Sequence, residues 1–366
     1  MIKFQNHPFP PDFSEIYDAK LANQLANTHA SISALNQMQK VLHNPELLMR
    51  PILAKEAESS SQLEGTQASI EDAYQIDITD QTEEKRNEAL EIRNYEDAML
   101  TGLSIMQQTS SDISELLIRE THKRLMQGVR GQTKSPGQYR LDDVWIGKQG
   151  TGRANAKYIP PDPTQVPVLM SNLLGFVNSS QDLHVLLTCA VMHHRFEAIH
   201  PFKDGNGRVG RLLISFYLIG QDLLDLPMLY PSGYFENNKK EYMAALSNVD
   251  QHQSWYDWFI FFLKALETQA KLSHRIALKI DNLFKNSREE IEKERANLNL
   301  IRVLEYTFTR PYVTSAMLED HLSIPRTTCD RYLDKLSKKE VIQFTGVHKR
   351  NNVFVNRKLI DLLNSI

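Results

Sequence analysis

The sequence predicts a mainly α fold in two or three domains: a helical core, one short β-hairpin, and a small C-terminal helix-turn-helix domain. Three observations carry that expectation. Apolar residues recur at helical spacing over most of 14–105. RLLISFYLIGQ, from Arg211, is apolar on nearly every face, as a helix buried at a domain centre must be. The last seventy residues carry 11 Lys/Arg against 7 Asp/Glu, so residues 297–366 are at +4 while the rest of the chain is at −7.

Composition sets the outer bounds. With 366 residues, 41% hydrophobic and 24% charged, the chain has globular composition and can bury a large core. A net charge of −3 and a pI near 6.5 give no global basic field, so any nucleic-acid partner must use a local patch. Two cysteines, Cys189 and Cys329, form neither a metal knuckle nor a disulfide framework and suit a reducing interior. No apolar signal core opens the chain and no run approaches the ~18 residues of a spanning helix, so the expectation is cytoplasmic, with no membrane partner.

In chain order, residues 1–110 read as a helical N-terminal region that follows a lead-in with Pro8, Pro10 and Pro11 and is interrupted by polar residues 78–85. Residues 111–250 form the central domain. SELLIRETHKRLM is a helix ending near Gly128, and VWIG and AKYIP, joined by the glycine-rich KQGTGRAN, read as a hairpin stopped by Pro160, Pro161 and Pro163. LHVLLTCAVMHHRF and RLLISFYLIGQ are two core helices bracketing a loop. Residues 251–296 stay helical, with Ile276, Ile280, Leu283 and Phe284 on one stripe and a charged end, and read as a connecting helix or linker. In 297–366, TSAMLEDHLS, a turn at Ile324-Pro325, RTTCDRYLDKLSKKEVI and two strands around His348-Lys349-Arg350 resemble a winged helix-turn-helix domain. Arg326, Thr327, Arg331 and Lys349 are its candidate DNA contacts; protein docking or dimerisation is the alternative use of such a domain.

The loop between the core helices is HPFKDGNGRVGR, His200 to Arg211. Gly205, Gly207 and Gly210 satisfy G-x-G-x-x-G, but twelve residues separate the preceding apolar run from Gly205, where a dinucleotide fingerprint needs a strand ending at the first glycine. The Gly-Lys-Ser/Thr ending of a Walker loop is absent. A zinc reading on His193, Glu197 and His200 lacks a fourth ligand. What the residues favour is a phosphate cradle. Glycines at 205 and 207 let backbone N–H groups point at an anion beside a helix N-terminus, Asn206 offers an amide donor, and Arg208 and Arg211 can face one phosphate tail. Asp204 beside such a nest calls for a cation, which Mg²⁺ on the phosphates would supply. His200, with an ordinary imidazole pKa, is placed as general base for an incoming hydroxyl.

HPFKDGNGRVGR also matches the signature of the Fic family, His-Pro-Phe-x-Asp/Glu-Gly-Asn-Gly-Arg-x-x-Arg, at every fixed position, whereas His7-Pro8-Phe9 repeats only its first three letters. KSPGQYR, VWIG and ANAKYIPP resemble the family's target-docking flap, and YFENNKKEY its adenine-side segment; the likeness covers about residues 45–250. The resemblance implies an all-helical Fic core in which His200 deprotonates a Ser, Thr or Tyr hydroxyl of a target protein that attacks the α-phosphate of ATP. It implies Asp204 as Mg²⁺ ligand, Gly205, Asn206 and Gly207 as the nest, Arg208 and Arg211 as phosphate clamp, Asn238 and Tyr242 at adenine, and Ile146, Lys157 and Tyr158 on the flap that pairs with a target strand.

SSQLEG resembles the family's inhibitory pattern Ser/Thr-x-x-x-Glu-Gly/Asn, with Ser60 and Glu64 on one helical face and Gly65 after them. The resemblance then implies that Glu64 pairs with Arg211 and blocks productive ATP binding, or positions water to remove AMP from a modified target. The expected partners are ATP, an acceptor protein, the chain itself by self-modification, and a second copy in a homodimer. Two rival readings are a nucleotide-sensing regulator that binds DNA through 297–366, and a Fic-type transferase with another nucleotide donor.

Overall fold

The computed structural model describes residues 2–41, 44–129, 132–147, 152–179, 183–293, 297–348 and 351–365, and over these the chain is mainly α. Strand β1 (Ile2–Lys3) precedes helices α1 (Ala19–Val41), α2 (Glu46–Leu63), α3 (Ile70–Gln75), α4 (Glu83–Gln108) and α5 (Glu115–Leu125). Then come β2 (Tyr158–Ile159), α6 (Val166–Asn178), α7 (Val185–Ile199), α8 (Asn206–Gly220), α9 (Pro231–Asn237), α10 (Lys239–His252) and α11 (Trp255–Glu292). The C-terminal module is α12 (Leu298–Thr309), β3 (Tyr312–Val313), α13 (Ser315–Leu322), α14 (Arg326–Lys338), β4 (Gln343–His348), β5 (Asn351–Val355) and α15 (Arg357–Asn364).

Local chemistry sets several helix starts. Thr82, Ser114, Asn297, Thr314 and Asn356 each accept a hydrogen bond from the backbone N–H three residues on, opening α4, α5, α12, α13 and α15. Each such cap contributes ~1 kcal/mol by satisfying one of the donors that a helix start leaves unpaired.

α7 and α8 are buried along nearly their whole length at the centre of the molecule. α2 crosses this centre, packing against α4, α8, α9, α11 and α12, and α1 runs along α11. α11 is one helix of 38 residues, ~57 Å at 1.5 Å per residue. It is no detached linker. Trp258, Phe259, Phe262 and Leu263 in its first half are fully buried, and the Trp258 indole donates to Ala190 O at 2.9 Å. Its apolar stripe carries one continuous core from the centre to α12 and α15.

Of the expected flap hairpin, the described residues show one antiparallel bridge, Ile146 to Tyr158; residues 148–151 lie outside them. Instead, β2 pairs in parallel with β1, so the proline-rich lead-in supplies a strand that sequence reading missed. In the C-terminal module β3, β5 and β4 form an antiparallel sheet in that order, beside the α13–turn–α14 pair. Thr327 and Arg331 are exposed at the start of α14; Arg326 is held by the Asn351 side chain, and Lys349 lies outside the described residues.

Candidate active site

The loop from His200 to Arg211 is built by α7 ending and α8 beginning. His200 caps α7 in the left-handed conformation, φ +51°, and Gly205 does the same before α8 at φ +77°. A Cβ on Gly205 would lie 2.8 Å from Met126 Sδ, so this position suits glycine on both counts. Arg140, 1% exposed, pins the first turn: its backbone N–H donates to Pro201 O at 2.8 Å, and its guanidinium to His200 O at 2.9 Å and Pro161 O at 2.6 Å.

Phe202 anchors the loop from inside, fully buried and stacked on His122 with ring centroids 3.7 Å apart. His122 Nδ1 accepts from Gly137 N at 2.8 Å, so the neutral ring carries its proton on Nε2 and donates it to Asp204 O at 3.0 Å. Burial drives its pKa down to about 4, in keeping with that neutral form.

The structure revises the expected use of the nest. Asn206 is not a free amide donor: its side chain accepts from Phe202 N and donates to Phe202 O, both at 2.8 Å, and closes the loop on itself. Gly205 N–H is spent on Asp204 Oδ1 at 2.7 Å. The amides of Asn206, Gly207 and Arg208, which open α8, have no acceptor in their own helix. Asp204 already has cations. Lys134 Nζ lies 2.7 Å from Oδ2 and Arg208 3.7 Å from Oδ1. Burial raises its pKa, but Lys134, Arg208 and the Gly205 amide outweigh that and hold it below the usual carboxylate range. Arg208, 1% exposed, also faces Glu91 at 3.5 Å, so it lies under the loop rather than in the open cleft.

Arg211 is where the N-terminal motif arrives. Its Nε donates to Ser60 Oγ and its Nη2 to Ser60 O, both at 2.8 Å, and Nη2 reaches Glu64 Oε1 at 2.7 Å. Glu64 ends α2 and Gly65 follows at φ +102°, turning the chain away. Burial works against the Glu64 carboxylate, but the Arg211 charge and hydrogen bond prevail and its pKa is lowered. Gly207 makes the approach feasible: a Cβ there would sit 2.2 Å from Glu64 Oε1.

A cavity of ≈ 600 Å³ joins these parts, lined by Glu64, Gly207, His200 and Arg211 on one side, Ile146, Lys157 and Tyr158 on another, and Lys239, Tyr242 and Met243 on a third. Tyr242 donates to His193 Nε2 at 2.7 Å, since His193 Nδ1 gives its own proton to Gly210 O at 3.0 Å. Both ring nitrogens of His193 are thus engaged within the protein, which removes it from the zinc reading. Asn238 is outside the cavity lining, its amide donating to Tyr234 O at 2.9 Å; its neighbour Lys239 takes that place and also bonds Leu63 O at 2.7 Å.

His200 does not keep an ordinary pKa. Burial, with Arg140 adding, pulls it down to about 4 against the opposing effects of Glu64, the Glu197 carbonyl and Asp204. Its Nδ1 is buried without a hydrogen-bond partner among the described residues. Glu197, pressed over Gly210, is likewise a buried carboxyl with an unpartnered Oε1, and burial raises its pKa to about 7.

Lys134, Arg140, His122 and Lys239 carry much of this geometry and were not singled out from sequence. KSPGQYR, which holds Lys134 and Arg140, and YFENNKKEY, which holds Lys239, gave a signal only as whole segments.

Known proteins resemble this chain in sequence and in fold. The chain is 31% identical over 139 residues, 38% of each chain, to a probable protein adenylyltransferase of Aquifex aeolicus. It is 33% identical over 102 residues to the protein adenylyltransferase Fic of Culex quinquefasciatus, covering 27% of this chain and 18% of that one. The matched stretch thus spans well under half of these relatives. Among solved structures, a Fic family protein from Desulfovibrio desulfuricans superposes with TM-score 0.58 at 20% identity, over 95% of this chain and 98% of that one. Fic-1 (aa134–508) from C. elegans gives TM-score 0.54 at 19% identity, over 70% and 72%. Two sequence profiles match in tandem, the Fic/DOC family N-terminal region over residues 22–104 and the Fic/DOC family over 112–218, and the chain belongs to the Fic/DOC family.

Proposed function

We propose that this chain is a protein adenylyltransferase, transferring AMP from ATP to a hydroxyl of a target protein, and that Glu64 holds it inactive. The observation that carries the reading is one cavity that brings together His200, Arg211 and the Ile146–Tyr158 bridge, with Glu64 seated on Arg211 inside it. The name of the relatives supplies the reaction class.

In the proposed reaction a target strand pairs with the flap and brings a Ser, Thr or Tyr hydroxyl to His200. The neutral ring takes the hydroxyl proton as the oxygen attacks the α-phosphorus of ATP, and the bond to the leaving pyrophosphate breaks. The first amides of α8 and the Arg211 guanidinium hold the phosphates. Tyr242 and Lys239 line the side where the nucleoside lies. Asp204 fits the divalent ion such reactions use: a single partly exposed carboxylate beside the nest, whose cation Lys134 is itself 48% exposed. Bound there, Mg²⁺ would neutralise phosphate charge.

Mass spectrometry of protein modified in cell lysate by the Glu64→Gly variant tests the donor and group. An AMP adduct on a hydroxyl supports the reading, and a UMP or phosphate adduct replaces it with the other-donor reading. A second reading, DNA binding by 297–366, is supported by exposed Thr327 and Arg331 at the start of α14. It requires salt-dependent duplex binding that is lost in Arg326→Ala/Arg331→Ala.

A further inference from the structure

The segment following the Ser60–Gly65 motif is gripped by the C-terminal module. Glu71, on α3, accepts hydrogen bonds from Tyr312 Oη at 2.6 Å and Arg357 Nη1 at 3.2 Å on one carboxylate oxygen, and from Asn364 Nδ2 at 3.1 Å on the other. Arg357 Nη2 also donates to Tyr312 Oη at 3.2 Å, so the three groups form a closed cluster. Just past α3, Ile78 is 3% exposed in an apolar cluster with Tyr312, Val353, Val355 and Ile360 of the module. α12 packs directly on α2. Neither family profile covers the module, which begins at 297.

α3 is in turn locked to α2. Glu58 Oε1 accepts from Ile70 N at 3.0 Å, and Ser69 and Asp72 close a capping box at the start of α3. Between the two helices, the Thr66 hydroxyl donates to Glu91 at 2.7 Å, and Glu91 faces Arg208. An unbroken chain of bonded groups therefore runs from Tyr312 and Arg357 through Glu71 and Glu58 to the turn of α2 that places Ser60 and Glu64 on Arg211.

We infer that the C-terminal module is the latch of the catalytic site: its hold on Glu71 keeps α2 and α3 in the arrangement that seats Glu64 on Arg211. The inference rests on Glu64 being inhibitory. Glu64 caps α2 only seven residues before Glu71, and Leu63 O and Thr66 are both tied down. Releasing Arg211 from Ser60 Oγ and Ser60 O as well as from Glu64 shifts that last turn, and with Glu71 held in place the shift strains the ties along the segment. Coupling of this kind is reciprocal, so whatever pulls Tyr312 and Arg357 away from Glu71 opens the site to ATP. At 24% and 34% side-chain exposure, Glu71 and Arg357 are shielded enough for the pair to matter and open enough to be broken.

The test measures incorporation of label from α-labelled ATP into the full-length chain, with pyrophosphate release as a second readout. Glu71→Lys is expected to raise transfer roughly tenfold over wild type, within the usual range for two coupled sites. Tyr312→Phe, which removes one hydroxyl and leaves the packing, should raise it about two- to fivefold. Glu71→Lys/Arg357→Glu, which restores an ion pair with reversed sense, should return it toward wild type. In a Glu64→Gly background none of these changes should add activity. If Glu64→Gly is active while Glu71→Lys and Tyr312→Phe stay at the wild-type level, the latch is overturned and the role of Glu64 stands. If Glu64→Gly itself is inactive, both are overturned.

Discussion

Arg211 Nη2 and Glu64 Oε1 lie 2.7 Å apart, and the pair is lopsided: the Arg211 side chain is 2% exposed and that of Glu64 is 37%. A buried guanidinium cannot be left without an anion except at a cost of several kcal/mol. Glu64, at the rim, is the partner that can leave, and a phosphate is the anion that can replace it. In the proposed mechanism the inhibited and the competent states differ in which anion Arg211 holds.

Ser60 shares this role. Its hydroxyl, fully buried, accepts from Arg211 Nε at 2.8 Å, while its carbonyl takes Nη2. Ser60→Ala keeps the carbonyl and Glu64 and loses one charge-assisted bond, an interaction of ~1.5–3 kcal/mol at most. The expected result is AMP transfer a few-fold above wild type and well below Glu64→Gly, measured with the same α-labelled ATP.

Gly207 and Glu64 should show strong coupling. A Cβ at 207 would come within 2.2 Å of Glu64 Oε1 and 3.0 Å of Arg211 Nη1. Gly207→Ala is expected to destabilise the protein by ~1–3 kcal/mol, as overpacking does. In Glu64→Gly the added methyl meets open space on that side, so the penalty should shrink by more than half. A double-mutant cycle in chemical denaturation measures the difference.

The acidity of His200 makes a third prediction. Its pKa falls from the ordinary 6.5 to about 4, so the ring is neutral, and ready as a base, down to about pH 5. The acid limb of kcat/KM in Glu64→Gly should therefore fall near pH 4 or below, since losing Glu64 removes a group that favours the protonated ring. The unfolded chain binds a proton on His200 that the fold rejects, so this group costs stability as pH falls from 6.5 toward 4 and contributes nothing above 6.5. An imidazole signal titrating near 6.5 by NMR would contradict this.

A divalent ion bound by Asp204, as proposed, would compete with Lys134. Lys134→Ala removes a cation 2.7 Å from Oδ2 that is 48% exposed, so the folding cost is small. In the Glu64→Gly background the Mg²⁺ concentration for half-maximal activity should drop about two- to fivefold, roughly the value of a partly exposed ion pair. An unchanged or higher requirement would count against Asp204 as the ion's ligand.

Much of this was legible from local pattern. The helical spacing, the buried character of RLLISFYLIGQ, and the loop residues from His200 are short-range features, and the structure places the loop between two core helices. Ser60 and Glu64 could be paired with Arg211 only through the family resemblance, since no spacing rule spans almost 150 residues. What the sequence concealed was long-range and polar. Lys134 meets Asp204, Arg140 pins His200, and Glu71 meets Tyr312, Arg357 and Asn364 through contacts 60 to 293 residues apart, where local periodicity carries no information. The Asn206 side-chain amide and the Gly205 N–H are satisfied within the loop itself, which leaves the backbone amides of Asn206, Gly207 and Arg208 as the donors at the start of α8. The lowered pKa of His200 likewise follows from burial that no twelve-residue window reveals.

In the proposed reaction His200 is the base for AMP transfer and Glu64 restrains it. Incubating wild type, Glu64→Gly and Glu64→Gly/His200→Ala with α-labelled ATP and Mg²⁺ in cell lysate tests both halves together. Label on protein with Glu64→Gly is expected at least tenfold above wild type, in keeping with the ~1.4 kcal/mol that a tenfold shift requires, and none above background with the double variant. Equal labelling by Glu64→Gly and the double variant, or no gain over wild type, would contradict it.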